Sequence, residues 1–167
     1  GTVNKDLLLN LITDSGVDSS WLEAYPPQTF GGGHWSDSGW ESVVDSELIL
    51  LHVMKKINLL GDNIEGFKAA VSDLVNSGVN AGQLNLIFSD GNSLLVFGGA
   101  SGLFVNDHSE FTAVMTQPTD DQYHDWQSIA NEELIYIDPD TLQRFRNFII
   151  NDPVSYTHLT LPTTSAV

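Results

Sequence analysis

In Leu84-Asn85-Leu86-Ile87-Phe88-Ser89-Asp90-Gly91-Asn92-Ser93-Leu94-Leu95-Val96-Phe97 the chain changes its period. Upstream of Gly82 apolar residues recur at helical spacing; from there on the spacing is that of strands. Ser89-Asp90-Gly91-Asn92 is a turn with Asp-Gly at its tip, and the two flanking apolar runs form a hairpin across it. A chain that is helical before this point and stranded after it is α+β.

Upstream of the hairpin, Asn63 to Asn76 carries Phe67, Ala70, Val71, Leu74 and Val75 on one face and is closed by Gly78, as a helix would be. Before it, Val43-Val44-Asp45-Ser46-Glu47 leads into the apolar run Leu48 to Leu60. This predicts a helix from about Ser46 to Leu60, apolar broadly enough to pack on more than one side and ended by Gly61. The short link makes the two helices antiparallel neighbours. Lys55 and Lys56 fall near the C-terminal end, where cations suit the helix dipole. Taken alone, Asp45 is an N-cap.

Further upstream, Thr29 to Gly39 is a loop containing Gly31-Gly32-Gly33. A triple glycine cradles a phosphate only with a strand before it and a helix after it, and that context is missing. His34 has no spaced partners for a metal or catalytic role, and Trp35 and Trp40 pin the loop to the body. The first helix is capped by Asn4 and presents Leu7, Leu8, Leu11 and Ile12 until Asp14-Ser15-Gly16. Asp18 caps a short turn through Trp21, Leu22 and Tyr25, which Pro26-Pro27 ends.

Downstream, Gly98-Gly99-Ala100-Ser101-Gly102 is a second turn, Leu103 to Val105 a third strand and Phe111 to Met115 a fourth. Ser101 lies between strands, without the strand-to-helix context of a nucleophile elbow. Asp120, Asp121 and Asp125, with His108 and His124 nearby, lack the ligand spacing of a calcium loop and are expected to be solvated. Trp126 to Ile129 anchors that loop. Glu133 to Ile137 and Leu142 to Ile149 form a closing hairpin around Asp138-Pro139-Asp140-Thr141.

The chain's 167 residues suffice for one domain with a core. Six Lys+Arg against 22 Asp+Glu give a formal charge of −16, with no cationic cluster to meet a phosphate backbone or an anionic membrane. No apolar run is long enough to span a bilayer. The absence of cysteine excludes disulfides and thiolate metal sites and suits a cytoplasmic protein. Neither nucleic acid nor membrane is an expected partner.

Val154-Ser155-Tyr156-Thr157-His158-Leu159-Thr160-Leu161-Pro162-Thr163 resembles the translation of a transposase sequencing adapter. Residues 153–167 are therefore set apart from 1–152, as an expression scar would be. In this reading the C-terminus is where a DNA read stopped.

Four motifs, in order, resemble the later part of a class-II glutamine amidotransferase domain, most of all its small YafJ-type members. Gly1-Thr2-Val3 resembles the end of the family's His-Asn-Gly-Thr-Val turn. Asp45-Ser46-Glu47 resembles its Thr-Asp-Ser-Glu helix start. Phe88-Ser89-Asp90-Gly91 resembles its first hairpin. Val114-Met115-Thr116-Gln117-Pro118, followed by Trp126 and the Glu133 strand, resembles its Ala-Thr-Gln-Pro-Leu strand end, tryptophan and closing hairpin. The resemblance covers nearly all of residues 1–150, with a longer span between Gly1 and Asp45 than is usual.

The resemblance implies a partial αββα sandwich of the N-terminal-nucleophile hydrolase type. In that family an N-terminal cysteine attacks the side-chain amide of glutamine with its own α-amine as base. An asparagine and the following glycine N–H stabilise the oxyanion. An arginine binds the substrate carboxylate, and an aspartate its α-ammonium. Gly1 matches the oxyanion-hole glycine, and Asp45 the ammonium-binding aspartate, with one oxygen on a backbone N–H and the other on the ligand. The cysteine, arginine and asparagine would lie before Gly1, so the chain by itself is expected to be inactive. The implied partner is glutamine or a γ-glutamyl compound, with no metal or other cofactor. A non-catalytic acidic α+β binding module that kept the scaffold is the second expectation.

Overall fold

The computed structural model describes residues 3–14, 19–29, 42–79, 84–99, 102–108, 110–118, 125–138, 140 and 144–148. Gly1, the triple glycine with His34, Trp35 and Trp40, Ser101, the run 119–124 and the adapter-like tail lie outside them. Four helices come first: α1 (Lys5–Thr13), α2 (Ser19–Ala24), α3 (Asp45–Leu60) and α4 (Asn63–Asn76). Seven strands follow: β1 (Asn85–Ser89), β2 (Leu94–Gly98), β3 (Phe104–Asp107), β4 (Thr112–Met115), β5 (Gln127–Ser128), β6 (Glu133–Ile137) and β7 (Arg144–Phe148). The α+β expectation holds.

The strands form two antiparallel sheets, ordered β1-β2-β6-β7 and β4-β3-β5. Both hairpins read from the sequence are present, with Ser89 opposite Leu94 and Ile137 opposite Arg144. The two hairpins are joined in one sheet by a pairing that skips three strands. After β2 the chain leaves for the second sheet, then returns so that β6 pairs with β2, Val96 opposite Ile135. Trp126 to Ile129, expected as an anchor, contributes the two-residue strand β5 beside β3.

Alternation along β2 and β6 explains the layering, because successive side chains point to opposite faces. Leu95, Phe97, Leu134 and Tyr136 pack against Val53, Phe67, Ala70 and Val71 of the helices. Val96, Ile135 and Ile137 face the second sheet, where they meet Leu103, Val105 and Ile129. These strands are covered on both faces, so they read as unbroken apolar runs. The described residues thus form three layers: helices, first sheet, second sheet.

α3 packs on two sides, as its composition predicted. Leu48 and Leu51 join Leu8, Ile12 and Trp21 in one cluster, while Val53 joins the cluster over the sheet. Each fully buried Leu or Phe side chain contributes about 1.5–3 kcal/mol. α3 and α4 pack closely: a Cβ at Gly66 would fall 2.5 Å from Ile57 Cα, so only glycine allows the two helices to approach this closely.

The two lysines of α3 do not serve their own dipole, since the last turn holds no basic residue. Lys55 is buried and its ammonium donates to the carbonyls of Leu11 and Ile12 in the last turn of α1. Burial pushes its pKa below that of a free lysine, helped by neighbouring Lys56 and opposed by Asp14 and Asp73. Lys56 reaches across to α4, 2.6 Å from Asp73 Oδ2, and the fully buried His52 approaches the same oxygen at 3.3 Å.

Candidate functional site

The site built from the sequence centres on the start of α3. Its N-cap is Val44 rather than Asp45, and Val44 brings no side-chain cap. Asp45 is instead the first helical residue, half-buried, with Oδ1 accepting a 2.8 Å hydrogen bond from the Ser46 N–H. Among the described residues Oδ2 accepts no hydrogen bond. Two acidic residues, Asp45 and Glu47, occupy the first turn, where the exposed N–H groups and the dipole favour negative charge.

Glu47, quoted above only as part of a motif, has structural work of its own. Its carboxylate accepts from the N–H of Gln28, from the N–H of Thr29 at 3.0 Å, and from the Thr29 hydroxyl. The Thr29 oxygen in turn accepts from the Val44 N–H at 3.1 Å. Burial alone would raise the Glu47 pKa, but these hydrogen bonds outweigh it and hold the carboxyl below its usual value. The segment ending at Thr29 is thereby fastened to the helix start behind buried Val43. Nothing local in the sequence links Thr29 to Glu47, which are 18 positions apart.

Other expected features occupy the described residues as follows. His108 closes the β3–β4 turn, its N–H donating to the Phe111 carbonyl and its ring stacking on Phe111 at 4.8 Å. Asp125 is exposed, and no three His, Cys, Asp or Glu side chains gather as a metal site among the described residues. A surface depression of 260 Å³ beside the β1–β2 turn is lined by Ser89, Ser93, Thr112 and Ile137 with their neighbours. It presents no acid, base or cation, so it offers less chemistry than the start of α3. No helix among the described residues is long and apolar enough to cross a membrane.

The fold is an α+β chain in which two antiparallel sheets face each other and helices cover one of them. A solved structure described as a glutamine aminotransferase class-II domain protein from Silicibacter pomeroyi is similar to it, with a TM-score of 0.47 and 17% identity. The match covers 68% of this chain and 53% of that one, so the chain spans about half the length of that protein. No protein-family model and no curated protein matches the chain.

Proposed function

We propose that this chain is part of a class-II glutamine amidotransferase domain of YafJ type, with its nucleophilic cysteine encoded upstream of Gly1. The reading rests on the four ordered motifs and on the layered α+β fold. The single observation that carries it is the Asp45 carboxylate, half-buried at a helix start and held by one oxygen while the other accepts no hydrogen bond from a described residue. A carboxylate so oriented is the right group for an ammonium, through a charge-assisted hydrogen bond in a closed site. Asp45 then fixes the α-ammonium of glutamine or a γ-glutamyl compound, and Gly1 supplies an oxyanion-hole N–H. Amide hydrolysis is the work of the upstream cysteine.

Sequencing the DNA upstream of Gly1 tests the reading: it requires Met-Cys at the start, then an arginine and His-Asn directly before Gly1. Calorimetry with glutamine on the full-length protein tests the site. Asp45→Ala is expected to weaken binding at least about tenfold, the equivalent of about 1.4 kcal/mol. Unchanged affinity sinks the assignment. Glutamine binding without glutaminase activity identifies the non-catalytic module instead.

A further inference from the structure

Among the described residues the N-caps of α1, α3 and α4 solve the same problem differently. At α1 the Asn4 side chain accepts from the Leu7 N–H, and at α4 the Asp62 side chain accepts from the Glu65 N–H. Each uses a polar side chain at the N-cap to satisfy a donor that the helix cannot. At α3 the N-cap is Val44, although a strong capping residue, Asp45, stands next to it. The free N–H groups are met by other means. The Glu47 N–H folds back on the Val44 carbonyl, the Ser46 N–H goes to Asp45 Oδ1, and the Val44 N–H goes to the Thr29 hydroxyl, 15 positions away.

We infer that Thr29 and Glu47 are positioning residues for Asp45: together they hold the backbone at Val44, just ahead of α3, and so set where the Asp45 carboxylate stands for a cationic ligand group. The inference rests on reading Asp45 as an ammonium-binding group. The Thr29 hydroxyl is used twice, donating to Glu47 and accepting from Val44, so its orientation is fixed by both partners. Glu47 also gathers the N–H groups of Gln28 and Thr29 and thus sets where that hydroxyl stands. With the Val44 backbone fixed, the first helical residue cannot slide back to become the cap. Its carboxylate keeps one oxygen on the Ser46 N–H and presents the other. An aspartate that capped its own helix would stand one position earlier and turn an oxygen back onto the third helical N–H, as Asp62 does at α4.

The test uses the full-length protein and four variants: Thr29→Val, which removes only the hydroxyl, Thr29→Ser, which restores it, Glu47→Gln and Asp45→Ala. Two readouts are taken, amide hydrogen exchange at Val44 and calorimetric affinity for glutamine. Thr29→Val and Glu47→Gln are expected to speed exchange at Val44 about tenfold, the equivalent of one lost hydrogen bond. Both should weaken glutamine binding in parallel, while Thr29→Ser matches the wild type in each. Unchanged Val44 exchange in Thr29→Val overturns the inference. So does faster exchange with unaltered glutamine affinity while Asp45→Ala still abolishes binding, because the contacts then only stabilise the fold. A failure of the ammonium reading is seen separately, as wild-type affinity in Asp45→Ala.

Discussion

The ammonium of Lys55, in the middle of α3, donates a 2.7 Å hydrogen bond to the carbonyl of Leu11, and a second, of 2.9 Å, to Ile12. A cation from one helix thus closes the C-terminal end of another, where the last carbonyls have no intrahelical donor. Lys55→Met keeps the volume of the stem and removes the donor, leaving two carbonyls short of a partner. A loss of about 1–3 kcal/mol is expected in urea unfolding, with little change in slope. A change within error means water reaches these carbonyls and the lysine is dispensable.

Gly66 is the second structural constraint between helices. Alanine is the better helix former by about 1 kcal/mol, and an exposed glycine replaced by it gains stability. Here the added Cβ would sit 2.5 Å from Ile57 Cα and 2.7 Å from its N, backbone atoms that cannot rotate away. Overpacking of this kind costs about 1–3 kcal/mol. Gly66→Ala is therefore expected to lower thermal stability, and a raised Tm contradicts the close approach.

Asp90, at the tip of the β1–β2 turn, accepts from the N–H groups of Ser93 and Asn92 and from the Asn63 side chain of α4. The backbone hydrogen bonds from Ser93 and Asn92 pull its pKa from 3.8 to about 2. A depressed carboxyl stabilises the fold fully above its unfolded pKa and loses that contribution as pH falls through the folded value. Between pH 4 and pH 2 the wild type should therefore lose stability faster than Asp90→Asn. NMR titration should find the Asp90 carboxyl still ionised at pH 3; protonation near 3.8 removes the basis for this prediction.

Asp73 gives a second acid-sensitive contact, between α3 and α4. Burial favours its neutral form, but His52 and Lys56 outweigh burial and leave the pKa below its ordinary value. Its contribution is likewise present above pH 3.8 and lost on acidification. Asp73→Asn keeps the shape and leaves Lys56 and His52 facing a neutral amide. A loss of about 1 kcal/mol at neutral pH is expected, small because water screens the exposed part of the carboxylate. Denaturant melts of wild type and variant should draw together as the pH falls below 3.8.

Much of the secondary structure was legible because its causes are local. Asn4 caps α1, Gly61 adopts the left-handed conformation that ends α3, and Asp-Gly turns the first hairpin. These features depend on a handful of consecutive residues. The candidate site was legible in part. Asp45 stood out as an acid opening an apolar helix, while Gly1 lies outside the described residues.

Composition, period and turn residues determined the fold class, the two antiparallel helices, both hairpins and the acidic start of α3. Tertiary structure alone decided that β6 returns to β2, because Val96 and Ile135 are paired by burial between two sheets and no turn joins them. It decided that Lys55 serves α1 and that Thr29, not Asp45, meets the Val44 N–H ahead of α3. In each case the partners lie far apart in sequence, and spacing along the chain carries no record of which distant donor or apolar face folding brings within reach.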